Sequence, residues 1–188
     1  PALAYTHVDG FSPVPYSGNS LPIFLDAGGL TAEQMLRITQ ELRHFEAIFL
    51  ERDPRSNAVK ARVFDLFEEL PFAGHPILGA AVVLHDASGR PDPQDWQVAL
   101  PGKTVSVTTE RTAQGYAGAL NQGPPELYGE VADRAAFAGA FGLGVDDLAD
   151  LPLEVVSTGL RYVIIPVRPG VLPRARISRD ITALVRSV

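Results

Sequence analysis

The chain has 188 residues, of which 46% are hydrophobic and 20% charged, and its formal net charge is −6. This balance is typical of a globular protein, and the scattered acidic residues, with no basic stripe, argue against nucleic acid as a partner. Because the chain contains no cysteine, disulfides, cysteine nucleophiles and thiolate metal sites are excluded. The four histidines lack the spacing of a zinc motif, so we expect no metal site.

The chain shows no pattern that would direct it to a membrane or across one. Its longest fully apolar run, residues 77–84, is too short to span a bilayer. The first residues lack the positive segment and apolar core of a secretory signal. With the absence of cysteine, these features predict a cytoplasmic protein that does not contact a membrane.

The first part of the chain alternates predicted strands with helices. Residues 30–43 have the apolar period of an amphipathic helix, and Thr31 and Gln34 have the spacing of a capping box. Two of the strands should form a hairpin around Pro101 and Gly102. The predicted strands of this part are residues 5–8, 21–25, 45–50, 58–67, 95–100 and 103–110.

A change in composition near Arg111 marks a predicted domain boundary. We assign residues 1–114 to a first domain and residues 115–188 to the N-terminal part of a second. The predicted elements of the second part are a strand from residue 115, a helix within 133–148 that ends around residues 142–144, two strands within 153–167 and a last helix from 180.

The segment "ELPFAGHPILGAAVVLHD", residues 69–86, predicts a helix that is apolar on nearly every side. A helix without a polar face must be surrounded by other elements. The small residues Gly79, Ala80 and Ala81 would let neighbouring strands approach its axis closely. The simplest architecture is therefore a sheet curled around this one central helix.

The start of this helix is a candidate anion site. Pro76 suits the first helical position, and the amides of Gly74 and His75 would have no partner within the helix. The helix dipole adds partial positive charge there, so a carboxylate or phosphate would bind well. The alternative is that His75 merely caps the helix and Gly74 merely turns the chain.

Glu46 lies in an unusual place for a carboxylate. On a strand over residues 45–50, Glu46 shares one face with Ile48 and Leu50, and the opposite face is also apolar. Burial disfavours the charged form of a carboxyl group. A buried carboxyl group can therefore both donate and accept a proton near neutral pH. The alternative is that Glu46 is exposed at the strand's start or pairs with Arg43 or Arg62.

Several segments carry recognisable motifs. The longest and most specific is "ELPFAGHPILG" at residues 69–79. The others are Asp9 with Phe11, "SGNS" at 17–20, "FEAIFL" at 45–50, "QGPPE" at 122–126 and "STGLRYVIIPV" at 157–167. With these motifs the chain resembles the phenazine-biosynthesis isomerase family, within the broader group of diaminopimelate-epimerase-like folds.

The resemblance implies an α+β fold of two similar domains. Each domain wraps a curved, mostly antiparallel sheet around a central helix, and the active site lies in the cleft between them. It implies that Glu46 is the proton-shuttling acid/base, that Gly74 and His75 line the substrate pocket, and that Asn19 is a further binding residue. The family's best-known reaction is the cofactor-independent isomerisation of a dihydro-hydroxyanthranilate by proton migration. Epimerase relatives use two cysteines, which this chain lacks.

The chain departs from the family pattern in two respects. Phe45 stands where the family often has serine, and the second Gly-rich segment of the family is absent. The second domain is therefore expected to be incomplete in this chain. An incomplete domain would expose apolar strands such as residues 162–167, so we expect either a homo-oligomer or a chain that supplies the C-terminal part.

Two other functions remain open at this point. The first is a non-catalytic scaffold of the same fold that binds a small acid or a partner chain. The second is a hot-dog-type thioesterase, which also wraps a sheet around a helix. Its usual helix-borne acid is not evident, since Asp86 lies at the wrong end of the predicted helix.

Overall fold

The protein divides into two compact units, Pro1–Gln122 and Gly123–Val188. The structure, a computed structural model, describes residues 2–52, 55 and 57–187. The predicted boundary after Gln114 lies earlier than the division in the structure. The strand that begins at Gly115 hydrogen-bonds with the preceding strand, pairing Ser106 with Asn121, and so belongs to the first unit.

The first unit is built on one large sheet and two helices. The sheet follows the order β1-β2-β3-β4-β6-β7-β8, with β5 paired to β4. The pairs β2–β3 and β4–β6 are parallel and the others are antiparallel. The elements are β1 Thr6–Gly10, β2 Asn19–Phe24, α1 Ala32–Leu42, β3 Glu46–Arg52, β4 Ala58–Asp65, β5 Glu69–Leu70, α2 Gly74–Ser88, β6 Gln94–Ala99, β7 Thr104–Thr112 and β8 Gly115–Asn121.

Helix α2 is the centre of this unit. It contacts both β1 and β8, the two ends of the sheet, as well as β2, β3, β6 and β7. A helix can touch both ends of one sheet only if the sheet curls around it, so the predicted architecture is confirmed. Close approach depends on Gly79, since a Cβ atom there would lie 2.7 Å from Leu21 Cδ2.

The sheet has a second apolar layer on its outer face, under α1. The predicted capping box of α1 is confirmed, because Gln34 N donates to Thr31 Oγ1 and Thr31 N donates to Gln34 Oε1. Met35 of this helix is buried against Phe24 and Phe49 of the sheet. The phenyl rings of Phe24 and Phe49 stack with centroids 4.6 Å apart.

Three element boundaries differ from the sequence-based expectation. The helix predicted over 69–86 starts at Gly74, because residues 69 and 70 pair with β4 as the short strand β5. The helix predicted within 133–148, with an end around residues 142–144, ends at Ala140 and is followed by a separate 3-10 turn at Val145–Asp147. A strand over Glu126–Glu130, which was not predicted, pairs with the strand that starts at Glu154.

The second unit is a smaller sheet with a helix on one face. Its elements are β9 Glu126–Glu130, α3 Arg134–Ala140, β10 Glu154–Ser157, β11 Arg161–Ile164 and α4 Thr182–Val185, and its strand order is β11-β10-β9. Phe137 of α3 packs in one core with Val155 of β10. On the other strands Leu127, Tyr162 and Ile164 are exposed. Of these, Tyr162 and Ile164 lie in the segment 162–167 that was expected to be exposed.

Two histidines connect three segments of the first unit through a shared serine hydroxyl. His7 Nε2 lies 2.8 Å and His44 Nδ1 lies 2.6 Å from Ser20 Oγ, and the two imidazole centroids are 4.9 Å apart. The hydroxyl can donate to one ring and accept from the other. These contacts join β1 and β2 to the turn before β3.

This cluster predicts a dependence of stability on pH. Burial and the neighbouring His7 lower the pKa of His44 below its ordinary value. The unfolded chain therefore takes up a proton at His44 at a higher pH than the folded chain does, and the free energy of unfolding should fall as the pH falls below about 6.5. Urea midpoints at several pH values measure this slope, and His44→Asn should flatten it. An equal slope in H44N would contradict the assignment to His44.

Candidate active site

Glu46 and His75 form a buried pair in the first unit. His75 Nδ1 lies 2.9 Å from Glu46 Oε2, and the two side chains are 12% and 9% exposed, respectively. An ionised Glu46 accepts a hydrogen bond from Nδ1–H, whereas a protonated Glu46 donates one to the bare nitrogen. The contact therefore accommodates both protonation states of the carboxyl group, as a proton-transferring group requires.

The alternation of strand β3 brings Glu46 to this place. Ile48 and Leu50 lie in the core around α2, whereas Ala47 and Phe49 lie in the layer under α1. Because side chains two residues apart share a face, Glu46 points to the α2 side, as predicted. It is the first residue of β3, so it meets the first turn of α2 rather than the middle of that helix.

The predicted alternatives for Glu46 are wrong. Arg62 makes a bidentate ion pair with Glu69, with Nε–Oε1 and Nη2–Oε2 distances of 2.7 and 2.5 Å. Arg43 is the exposed C-cap of α1, with φ 57°. Glu46 itself is 7% exposed and does not lie in bulk solvent.

The first turn of α2 differs from the prediction in its cap and in the position of Pro76, but it remains a candidate anion site. The N-cap is Ala73, so the alternative in which His75 caps the helix is wrong. Pro76 is the third helical residue and not the first. Within the described residues no side chain caps this turn and no acidic residue lies in it. The partial positive charge of the helix start is thus left available to a bound anion.

His75 connects the pair to a cavity of about 570 Å³ in the first unit. Its second nitrogen, Nε2, is buried and has no hydrogen-bond partner within the described part of the chain. A buried polar atom without a partner costs free energy, so it marks a position where a ligand atom would be stabilised. The same cavity is lined by Asp9, Phe11 and Tyr116, among other residues.

The remaining predicted residues lie around this pair. Gly74 is the first residue of α2 and immediately precedes His75. Asn19 begins β2 and pairs with Gly10 of β1, and a Cβ atom on Gly10 would lie 3.9 Å from the His75 ring. The substrate-binding roles of Gly74, His75 and Asn19 and the acid/base role of Glu46 stay predictions, although the structure brings these residues to one end of α2.

Asp9 and Phe11 had no predicted role beyond the family resemblance. In the structure Asp9 Oδ2 accepts a hydrogen bond from the backbone N–H of Tyr16, which holds the loop after β1 in place. Phe11 and Tyr16 both have φ 64°, an unusual conformation for residues with a side chain. Two such residues in one loop are the signal that marks this loop as a functional candidate.

The structure also bears on a metal site and on a membrane-spanning helix. Among the described residues, no group of three or more histidine or acidic side chains is arranged to hold a metal ion. In the same part of the chain, every helix is too short or too polar to cross a membrane.

Comparison with known proteins places the chain in a family. The family described as phenazine biosynthesis-like proteins (PhzC-PhzF) matches residues 8–182. The chain belongs to this family. A relative named uncharacterized isomerase YddE, from Escherichia coli O157:H7, is 38% identical over 183 residues, which is 95% of this chain and 60% of that protein.

A second relative has a named reaction. The trans-2,3-dihydro-3-hydroxyanthranilate isomerase of Pseudomonas fluorescens is 30% identical over 161 residues, covering 86% of this chain and 56% of that enzyme. The chain thus spans about 60% of the length of the curated relatives it matches.

Solved structures agree with this family and its fold. A predicted epimerase from Pseudomonas aeruginosa matches with a TM-score of 0.89 and 40% identity, over 99% of this chain and 67% of that one. A probable proline racemase from Agrobacterium radiobacter matches at 13% identity with a TM-score of 0.52, which shows a shared fold alone. The predicted diaminopimelate-epimerase-like α+β fold is therefore confirmed.

Proposed function

We propose that this protein is an isomerase that moves a proton on a small carboxylic acid, with Glu46 as the acid/base. The observation that carries the proposal is the buried contact of 2.9 Å between Glu46 Oε2 and His75 Nδ1, at the uncapped start of α2. The names of the relatives, isomerase and predicted epimerase, support the same class of reaction.

The proposed step needs one group that accepts and returns a proton. The Glu46 carboxylate takes a proton from a C–H bond of the substrate, and the resulting carboxylic acid returns a proton to another carbon, with the intervening double bond shifting. His75 Nδ1 holds the carboxyl group in position by its hydrogen bond. Because the carboxyl group ends the cycle as it began, the proposal involves no cofactor.

Recognition of the substrate carboxylate is assigned to the start of α2. The amides of Gly74 and His75 and the helix dipole favour an acidic ligand there, because within the described residues no side chain caps this turn. Asn19 is proposed as a further contact from the adjacent strand. With these proposed contacts, the carboxylate of a small acid would lie beside Glu46.

We also propose where the protein acts and what it associates with. A cysteine-free chain is compatible with the reducing cytoplasm, which we infer as its location. The exposed apolar residues Leu127, Tyr162 and Ile164 favour either a homo-oligomer or a chain that supplies a C-terminal part. Sedimentation velocity of the purified protein distinguishes a homo-oligomer from a monomer.

The proposed function is tested with trans-2,3-dihydro-3-hydroxyanthranilate, the substrate named for the relative from Pseudomonas fluorescens. Incubation in D₂O followed by NMR spectroscopy should show conversion to a double-bond isomer. Deuterium at the receiving carbon would report exchange of the transferred proton with solvent, whereas internal return would leave the product unlabelled. Saturable binding without conversion of this acid or of other small cyclic acids would leave the non-catalytic scaffold as the better explanation.

A further inference from the structure

We propose that Phe11 is a specificity-determining residue whose ring forms the aromatic wall of the substrate cavity and selects planar, unsaturated rings. The inference deepens the proposed function and rests on it, since it takes the cavity beside His75 as the place where the substrate lies. Its evidence is the position of the ring, the conformation of its backbone and the lining of the cavity.

The ring of Phe11 lies where a ligand of His75 would meet it. Phe11 lines the cavity of about 570 Å³ together with His75. The centroids of the two rings are 6.3 Å apart and their planes are inclined by 54°. Although it lines a cavity, Phe11 is 74% exposed, so a large part of an apolar ring is available to a ligand and gains contact area when one binds.

The backbone holds Phe11 in this position at a cost. At φ 64° the residue is in the left-handed region, which is disfavoured for residues with a Cβ atom because that atom approaches the following carbonyl oxygen. Such a conformation persists only where the surrounding structure imposes it, and it concentrates at ligand-binding sites. A leucine or an alanine would carry the same backbone cost without the aromatic ring, so the ring itself is what this position supplies.

The loop that carries Phe11 is fixed by several independent contacts. Asp9 accepts from the backbone of Tyr16, and Ser12 Oγ lies 2.6 Å from Ser17 Oγ. Gly18 allows the loop to close onto β1, because a Cβ atom there would lie 2.3 Å from the carbonyl oxygen of Gly10. Phe11 is therefore presented on an ordered loop, as a selective binding wall requires.

The rest of the lining defines the ligand that fits. The part of the lining that comes from α2 is apolar or small, with Leu78, Gly79 and Val82. The polar side chains of Asp9, Gln114 and Tyr116 also line the cavity, which leaves its polar contacts at the edges of this apolar surface. His75, which also lines the cavity, has a buried Nε2 atom without a hydrogen-bond partner among the described residues. A flat ring that carries an acidic group matches an aromatic wall with one unpartnered polar atom beside it.

The experiment compares two acids of the same size, benzoate and cyclohexanecarboxylate, which differ in the aromaticity of the ring. Their dissociation constants are measured by NMR titration of the isotopically labelled full chain. We expect the wild type to bind benzoate about three- to tenfold more tightly than cyclohexanecarboxylate, the range of an aromatic pair contact. Phe11→Leu should abolish this preference, and Phe11→Trp should retain it.

Tyr16→Leu is the matched control. Tyr16 has the same φ of 64° in the same loop and is 93% exposed, but it is not among the cavity-lining residues. The preference for benzoate should be unchanged in Y16L. No preference in the wild type, an unchanged preference in F11L or an equal loss in Y16L would each overturn the inference.

The binding assay separates this inference from the proposed function. It does not require proton transfer, because benzoate and cyclohexanecarboxylate are bound without a chemical step. A wild type that prefers benzoate but isomerises no acid would refute the proposed function and leave Phe11 as a ligand-selecting residue. A wild type that isomerises an acid while F11L keeps the benzoate preference would refute the inference alone.

Discussion

Replacement of Glu46 by glutamine should lower the rate of proton transfer about 10²–10⁴-fold, the contribution typical of a positioned general acid or base. Glutamine has the same shape as glutamate and can keep a hydrogen bond to His75 Nδ1, so the pair should remain in place. It cannot accept and return a proton. The loss should therefore be in kcat, with the substrate dissociation constant little changed.

Glu51→Gln is the matched control for this prediction. Glu51 lies on the same strand, but its side chain is 55% exposed and pairs with Lys60 at 3.1 Å. The E51Q variant should turn over substrate at the wild-type rate. Equal kcat values in E46Q and wild type would show that Glu46 is not the acid/base, whatever the activity of E51Q. Circular dichroism spectra of the two variants check that both are folded.

Replacement of Ile77 by alanine should lower the free energy of unfolding more than truncation of any other single side chain of α2. Ile77 is 0% exposed and packs in the core that α2 shares with the curled sheet. Loss of a buried isoleucine side chain costs about 2–5 kcal/mol, because the cavity it leaves cannot close fully. That is a large fraction of the about 5–15 kcal/mol that stabilises a typical domain.

The measurement uses the single tryptophan of the chain. Trp96 is 4% exposed and belongs to the same core, so its fluorescence follows the unfolding of the first unit in urea. Ile38→Ala is the comparison, since Ile38 has the same side chain but lies on α1 and is only partly buried against the outer layer of the sheet. Equal losses in I77A and I38A would contradict the central position of α2 in the stability of this unit.

The two variants test different consequences of the same helix. Its middle turns are apolar on every side and stabilise the sheet that surrounds them. Its first turn carries no side-chain cap within the described residues and meets Glu46. E46Q should lose activity without losing stability. I77A should lose stability but keep its activity at denaturant concentrations where it is still folded. Together these results would show that catalysis and core stability depend on different residues.

Local patterns in the sequence were sufficient to predict much of the fold. Alternation in "FEAIFL" placed Glu46 on the same face as Ile48 and Leu50, since the period of a strand is independent of its neighbours. The absence of a polar face on α2 predicted a surrounded helix for the same kind of reason. The capping box of α1 was equally readable, because its hydrogen bonds span four consecutive residues.

The tertiary structure alone decided which groups meet. The sequence left Arg43 and Arg62 open as partners of Glu46, and the structure pairs Arg62 with Glu69 and Glu46 with His75 instead. The start of α2 was misplaced because residues 69 and 70 gain hydrogen bonds from β4 that no local pattern reveals. Sequence periodicity determines the face on which a side chain lies, whereas its partner and the cavity it borders depend on contacts between segments far apart in the chain.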